Sequence, residues 1–350
     1  MTDILSMNVS ELTEFVLGIG EEKYRAKQLY TWLHKGASLD EMTNIPKKMK
    51  EKLAEKAIIP AVKIEEKFVS ADGTVKYLFK CYDGEYIESV FMRYEHGNTV
   101  CVSSQAGCRM GCKFCASTLN GLKRSLNASE MLSQIYTAQK DTGERVSNVV
   151  IMGMGEPFDN YDNVVRFIRL LNDENGLNIG CRHISVSTCG LVEKIDRFAD
   201  EGLPVTLSVS LHAPTNAQRD EIMPVNRKYP IELLLSACKR YFEKTGRRIS
   251  FEYALIDGKN NGEADAEKLA ELLKSNLPGM PIHVNLIPVN PIKERDFRRG
   301  DRIMTEKFVK TLENRGVNAT VRRRLGADID ASCGQLRARK YEENGLNSKI

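Results

Sequence analysis

Between residues 99 and 290, short apolar runs typical of buried strands alternate with longer segments in which apolar residues recur every three or four positions. The six strand-like runs span residues 99–103, 148–152, 183–187, 205–210, 249–255 and 282–287. The helix-like segments span residues 130–140, 163–171, 192–199, 231–244 and 263–274. This alternation predicts an α/β protein with a parallel sheet. Because eight such units close a barrel, six predict a splayed, partial (β/α)6 barrel.

The beginning of the chain follows a helical pattern. Residues 24–35 form an amphipathic stretch that stops at Gly36, and Pro46 opens a second stretch that runs to residue 56. We therefore expect residues 1–60 to form a small helical accessory domain.

The pattern changes after residue 60. Residues 61–98 alternate in polarity around two hairpin signals, Asp72-Gly73 and Asp83-Gly84. These features predict a β-rich linker or extension. The barrel is then expected to occupy residues 99–290, and residues 291–350 form a C-terminal extension.

Composition narrows the class of protein. The chain has 350 residues, of which 42% are hydrophobic, so it can bury a sizeable core. Nine cysteines scattered over this length differ from the dense pattern of small secreted scaffolds, which favours a reducing compartment. The first residues lack a basic signal region and no run approaches about 18 apolar residues. We therefore expect a cytoplasmic protein without a membrane span.

Three cysteines, Cys108, Cys112 and Cys115, stand in one short loop directly after the first predicted barrel strand. Three thiolates can hold three irons of a [4Fe–4S] cluster and leave the fourth iron open. An open metal position is where a substrate can bind, as in catalytic zinc sites. Structural zinc or unrelated thiols are the alternative, although zinc sites usually show paired C-x-x-C arms.

Other candidate site residues lie at the carboxyl ends of the predicted strands, where barrels of this type place their active sites. In the run from Gly153 through Gly155 and Glu156 to Pro157, glycines permit close backbone approach and a carboxylate can accept hydrogen bonds from an ammonium group. The remaining candidates are Ser187, Ser210, Leu211, His212 and Asn290. Each alone is more often a turn, cap or core residue.

Two further cysteines stand apart. Cys101 lies on the first barrel strand, and Cys333 lies near the C-terminus beside Gly334 in a polar, acidic context. That context suggests an exposed loop in which thiol reactivity matters. For Cys81, Cys181, Cys189 and Cys238 the ordinary interpretation is a small buried hydrophobic residue.

Taken together, these motifs resemble the RlmN family of the radical S-adenosylmethionine (SAM) superfamily, whose members methylate carbon 2 of adenine in 23S rRNA and tRNA. The resemblance extends over nearly the whole chain. It is strongest in the runs 100–108, 153–160, 210–214, 285–291 and 328–336. It implies a [4Fe–4S] cluster on Cys108, Cys112 and Cys115. It also implies SAM contacts from Gly155, Glu156, Ser187, Ser210, Leu211, His212 and Asn290.

The resemblance also implies a mechanism that uses two SAM molecules per turnover. Cys333 takes a methyl group from one SAM by displacement, and a radical derived from the second SAM removes hydrogen from that methyl group. The resulting carbon radical adds to the electron-poor carbon 2. Glu88 then accepts a proton, and Cys101 attacks the Cys333 sulfur, which releases the product and leaves a transient disulfide. Without the resemblance, Glu88 would be interpreted as a solvated strand residue.

The same resemblance implies an RNA substrate whose target base is single-stranded or extruded from a duplex. Residues 291–324 contain eleven Lys or Arg against five Asp or Glu, which suits phosphate contacts, although a solvated face would look the same. The candidates are Arg295, Arg298, Arg299, Arg302, Lys307, Lys310, Arg322, Arg323 and Arg324, with Lys123 and Arg124 near the cysteine loop. Further expectations are an electron donor such as flavodoxin or ferredoxin, and a monomeric state.

Three alternatives stay open at this point. One is methylation of carbon 8 of adenine, the reaction of a related branch. Another is activation of a partner protein by hydrogen abstraction, against which Cys101 and Cys333 argue. The last is an iron–sulfur or zinc RNA-binding protein without catalysis.

Overall fold

The fold is built around one ten-stranded sheet, seen in a computed structural model that describes residues 1–290, 295–323, 325–326, 328–329 and 334–343. The strand order is β14-β13-β12-β11-β10-β9-β6-β5-β4-β3. These strands are β3 (Lys63–Val69), β4 (Val75–Lys80), β5 (Tyr86–Met92), β6 (Thr99–Cys101), β9 (Asn148–Ile151), β10 (Ile184–Thr188), β11 (Thr206–Ser210), β12 (Ile249–Leu255), β13 (Ile282–Pro288) and β14 (Asn318–Val321). Two smaller sheets pair β1 (Thr2–Asp3) with β2 (Ala57–Ile58), and β7 (Gln105–Gly107) with β8 (Leu122–Ser125).

The helices cover the sheet and build the N-terminal region. They are α1 (Val9–Gly18), α2 (Tyr24–Leu33), α3 (Lys47–Lys56), α4 (Ala128–Thr142), α5 (Tyr161–Asn172), α6 (Val192–Asp200), α7 (Asn216–Ile222), α8 (Ile231–Thr245), α9 (Glu263–Asn276), α10 (Arg302–Asn314) and α11 (Gln335–Glu343). Short 3₁₀ helices occur at Ala116–Thr118, Pro157–Asn160, Cys181–His183 and Pro224–Arg227.

The predicted partial (β/α)6 barrel is confirmed. Strands β6, β9, β10, β11, β12 and β13 are the six predicted strands, and consecutive members of this series pair in parallel. A capping box opens α4, where Asn127 and Glu130 exchange backbone and side-chain hydrogen bonds. The structure also contains a parallel strand that the pattern did not predict. This strand, β14, pairs with β13 and continues the series.

The antiparallel strands β3, β4 and β5 continue the same sheet on its other side. Both predicted turns are hairpins, and Gly73 and Gly84 adopt positive φ angles of 81° and 90° there. Strand β5 then pairs antiparallel with β6. We call β3–β5 the β extension; it shares its hydrogen-bonded sheet with the barrel.

The N-terminal helices pack against the barrel rather than standing apart. His34 Nδ1 lies 2.8 Å from the hydroxyl of Tyr136 on α4, and Arg166 on α5 pairs with Glu11. Apolar side chains of α1–α3 belong to the same buried cluster as the barrel core. No helix in the described part of the chain is both long and apolar enough to span a bilayer.

Side-chain alternation along the strands separates the core from the site. On β12, Phe251 and Tyr253 belong to the apolar core between sheet and helices. The intervening residues Glu252 and Ala254 face the opposite side of the sheet, where they line a cavity. The period of two in a strand therefore sends one set of residues to the helices and the other to the barrel interior.

Candidate functional site

The carboxyl ends of the parallel strands surround a cavity of about 430 Å³, a size typical of small-molecule sites. Most of the predicted site residues line it. They are Cys101, Cys108, Cys112, Cys115, Gly155, Glu156, Ser187, Ser210, His212 and Asn290. Residues scattered along the sequence therefore meet at one place because the ends of parallel strands share one edge of the sheet.

The three clustered cysteines lie on the connection between β7 and β8. Cys108 donates its backbone N–H to Gly121 O at 3.2 Å, and Cys115 donates to Cys112 O at 3.1 Å. The Thr118 hydroxyl donates to the carbonyl oxygen of Cys115 at 2.9 Å. These bonds fold the connection back on itself, so that all three thiols face the cavity.

The chemistry of these thiols fits a cationic metal cluster. Burial raises the pKa of Cys108 to about 12, and the neighbouring Cys115 adds to the shift. Burial and the other two thiols also raise the pKa of Cys112 well above its ordinary value. Crowded, buried thiols of this kind ionise readily only when metal charge compensates them. An iron–sulfur cluster offers a separate iron to each thiolate.

The glycine-rich turn after β9 is shaped by the neighbouring backbone. Gly155 has a φ of +98°, and a Cβ atom there would lie 2.5 Å from the Gln105 side chain. A Cβ on Gly153 would lie 2.6 Å from Val102 O. The glycines are therefore required to pack the turn against the segment before the cysteine loop, whatever ligand the cavity holds.

Glu156 makes hydrogen bonds within the protein that its sequence context does not predict. Its carboxylate accepts backbone N–H groups from Phe158 at 3.0 Å and from Cys189 at 2.7 Å. Burial raises its pKa, although these hydrogen bonds oppose the shift. Cys189 lines the cavity as well, so its earlier interpretation as a simple core residue is incomplete.

His212 has a defined tautomer at the end of β11. The backbone N–H of Ala254 donates to its Nδ1 at 2.8 Å, so a neutral ring carries its proton on Nε2. Burial, aided by the nearby Arg219, lowers the pKa of His212 to about 3 and keeps the ring neutral. His212 also adopts a positive φ of 58°, which is uncommon for a non-glycine residue and is often found at functional sites.

Two of the predicted site residues that the structure describes, Leu211 and Glu88, do not line the cavity. The side chain of Leu211 is fully buried in the apolar core, and its backbone N–H donates to the carbonyl oxygen of Glu252 at 3.1 Å. Glu88 is also fully buried, which makes the solvated interpretation wrong; its carboxylate contacts Lys76, Gly334 and Arg337. Cys333 lies outside the described residues.

Comparisons with known proteins agree with this geometry. Residues 102–273 match the family model of the radical SAM superfamily. Residues 2–59 match that of the ribosomal RNA large subunit methyltransferase N-terminal domain. The chain is 53% identical over 349 residues to a Lachnospira eligens protein named probable dual-specificity RNA methyltransferase RlmN, covering 98% of each. A Geobacillus kaustophilus protein of the same name is 49% identical and is covered to 94%.

The chain belongs to the RlmN family. A solved structure, that of a radical SAM methyltransferase from Sphaerobacter thermophilus, is similar over 96% of this chain and 99% of its own, with a TM-score of 0.91 and 43% identity. Membership of the RlmN family makes this protein a radical SAM enzyme.

Sequence patterns missed two residues of this RlmN-family site, and the first of them is Arg219. Arg219 on α7 is fully buried, and its guanidinium donates to the carbonyl oxygens of Cys189, Ser210, Leu211 and Tyr229 and to the side-chain oxygen of Asn226. It thus ties together the carboxyl ends of β10 and β11. An arginine in a short amphipathic helix is usually exposed on the surface, so the local sequence did not predict this role.

Glu252 is the second missed residue. It is buried on β12, lines the cavity and accepts a hydrogen bond from Asn285 Nδ2 at 2.8 Å. Burial raises its pKa, and Arg322 opposes the shift. The sequence offered one indication of this role, because Glu252 is a charged residue within a run that otherwise has the pattern of a buried strand.

We expect Arg219→Lys to lower the free energy of unfolding by about 2–4 kcal/mol, because one ammonium group cannot reach acceptors on several separate segments. Urea denaturation measures this difference. Arg240→Lys is the matched control, since Arg240 forms a half-exposed pair with Asp196 and should cost less than about 1 kcal/mol. Equal, small losses for both variants would contradict the organising role of Arg219.

Proposed function

We propose that this protein methylates carbon 2 of an adenosine in 23S rRNA, at the peptidyl transferase centre, and of the adenosine 3′ of the anticodon in tRNA. One observation carries the proposal: a single cavity is lined at once by the three clustered cysteines, by Cys101 and by the strand-end residues. The names of relatives about half identical over the full chain support the same reaction.

Cys108, Cys112 and Cys115 would hold a [4Fe–4S] cluster by three of its irons. Gly155, Glu156, Ser187, Ser210, the Leu211 main chain, His212 and Asn290 would surround SAM. When bound, the cluster and SAM supply the one-electron chemistry that makes SAM a radical source. Within this site, His212 can donate a hydrogen bond from Nε2, because its Nδ1 is already occupied.

The remaining roles fall to side chains of the protein itself. Cys333 would carry the methyl group on sulfur between SAM and RNA, since carbon 2 of adenine is too electron-poor to attack a methyl donor directly. Cys101 would resolve the resulting protein–RNA bond by attack on the Cys333 sulfur. Glu88 would accept the proton lost from carbon 2.

The RNA would approach over a basic rim. Arg299, Arg322 and Arg323 are exposed and also line the cavity, which suits phosphate contacts beside an extruded base. Arg124 is a weaker candidate, because Asp83 and Glu130 already engage its guanidinium. We further propose a flavodoxin- or ferredoxin-type electron donor, a monomer, and a cytoplasmic location.

We also propose that four regions divide the work. Residues 1–60 would act as an accessory domain that adds RNA-binding surface, and residues 61–98 would act as the β extension with its linker. The catalytic barrel would comprise residues 99–290. Residues 291–350 would carry the methyl-accepting cysteine.

The decisive experiment uses anaerobically reconstituted full-length protein with SAM, a strong reductant and either 23S rRNA or tRNA. Mass spectrometry of nucleosides should show 2-methyladenosine, and chromatography should show 5′-deoxyadenosine. Cys112→Ala should abolish both products, whereas Cys238→Ala, which removes a buried thiol outside the cavity, should retain both. Detection of 8-methyladenosine, or of no methylated base with intact cluster and SAM cleavage, would refute the proposal.

A further inference from the structure

The C-terminal helix α11 is docked on the β extension. Leu336 and Tyr341 pack with Leu78 and Tyr86 in a small apolar cluster of their own. Arg337 is almost completely buried and donates to Glu85 at 3.2 Å. The extension therefore provides both an apolar seat and acidic partners for the last described helix.

At the start of this helix, the carboxylate of Glu88 contacts three hydrogen-bond donors. Glu88 accepts the backbone N–H of Gly334 on Oε2 at 2.9 Å and that of Arg337 on Oε1 at 2.7 Å. Lys76 Nζ lies 3.0 Å from Oε2. Lys76 and Glu88 sit opposite the helix start on adjacent strands of the β extension, and both side chains are 0% exposed.

Gly334 is confined from its other side as well. It has a φ of +89°, and a Cβ atom there would lie 2.5 Å from the backbone N of Ser117. Ser117 belongs to the 3₁₀ helix that follows the cysteine loop. The backbone at Gly334 is therefore held between the Glu88 carboxylate and the segment that carries the cluster ligands.

A buried carboxylate is costly unless it is paired and hydrogen-bonded. Here Glu88 is paired with Lys76, and it also accepts two backbone N–H groups of a segment far away in sequence. The Glu88 side chain is also 0% exposed. A substrate could therefore reach this carboxylate only after the segment with Gly334 and Arg337 had moved away.

We propose that Lys76 and Glu88 are positioning residues that fasten the start of the C-terminal helix beside the cysteine loop. This inference rests on the proposed function, because Cys333, the expected methyl carrier, immediately precedes Gly334 in the sequence. Lys76 acts through Glu88, orienting the carboxylate towards the two N–H groups. Loss of the pair frees the segment that follows the carrier.

The test measures backbone hydrogen exchange of full-length protein by mass spectrometry, comparing peptides from residues 334–343 with peptides from the core strand β12. We expect Lys76→Met to speed exchange in 334–343 by at least about tenfold, since charge-assisted hydrogen bonds are lost. Lys76→Arg should restore protection. Lys67→Met is the matched control, because Lys67 on the neighbouring strand pairs with Asp141 and not with the C-terminal helix.

Lys76→Met leaves a buried carboxylate unpaired and so endangers folding. The double variant Lys76→Met with Glu88→Met replaces the pair by apolar groups of similar volume, which protein cores often tolerate. It should remain folded and lose protection in 334–343 to the same extent. Unchanged exchange in this double variant, or an equal acceleration in β12, would overturn local positioning.

A second readout connects the contact to chemistry. Intact-protein mass spectrometry after incubation with SAM, without reductant or RNA, reports the methyl group that displacement places on Cys333, a stage that does not need Glu88 as a base. We expect Lys76→Met to load this methyl group at least about tenfold more slowly than the Lys67→Met control. Unchanged loading would overturn the positioning role. Failure of the wild-type protein itself to load would instead refute the proposed function.

Discussion

Replacing Cys333 by alanine is expected to abolish RNA methylation, a loss of at least about a thousandfold. The methyl group must leave SAM by displacement at a nucleophile, and carbon 2 of adenine cannot serve as one. Without the Cys333 sulfur, no atom carries the methyl group to the base. Mass spectrometry of nucleosides from treated rRNA and tRNA measures the loss directly.

The matched control for this variant is Cys238→Ala. Cys238 is buried in α8, where it belongs to the apolar core, and its removal leaves the cavity unchanged. Cys333→Ala should keep its iron content, because the three proposed cluster ligands lie in the loop of Cys108, Cys112 and Cys115. Substantial 2-methyladenosine formation by Cys333→Ala would show that the methyl group does not travel through this sulfur.

Cys101→Ala is expected to trap the enzyme on RNA as a stable covalent adduct instead of releasing product. Cys101 is buried at the end of β6 and lines the cavity, so it is the proposed resolving thiol. A denaturing gel should show nearly all of the reacted enzyme shifted to the mass of the protein–RNA adduct. A Cys101→Ala enzyme that turns over repeatedly without any adduct would contradict the resolving role.

Cys189 is the natural competitor in this experiment, since its thiol also reaches the cavity. Burial and the neighbouring Glu156 raise the pKa of Cys189 well above its ordinary value, which suppresses the thiolate that exchange requires. We therefore expect Cys189→Ala to release product as the wild type does. If the adduct appears only when Cys101→Ala is combined with Cys189→Ala, then Cys189 can substitute as the resolving thiol.

The order of elements was predictable from local pattern. The run 249–255 alternates in a way that only a strand satisfies, and the observed β12 has the same bounds. Ile231 begins both the predicted and the observed α8, because Pro230 precedes it and cannot continue a helix upstream. Strand β14 was missed because Asn318–Val321 is only four residues long and mostly exposed, and because it pairs with β13, a segment about 35 residues earlier.

The candidate site was predictable where a residue type follows a strand end. Ser210, His212 and Asn290 fell into the cavity by that rule alone. The rule failed for Leu211, because alternation turns its side chain into the core. It also failed to show the packing role of Gly153 and Gly155, which depends on a segment about fifty residues earlier in the chain.

Sequence by itself determined the strand–helix order, the strand edge that carries the site and the three thiols of one loop, because these depend on local periodicity and short spacing. Only the tertiary structure decided how buried charges are partnered. Arg219 donates hydrogen bonds to two strand ends. Glu88, paired with Lys76, accepts hydrogen bonds from the start of a helix almost 250 residues further along the chain. Such partners are chosen by burial, which forces each charge to find donors or acceptors in space, and no spacing rule records that choice.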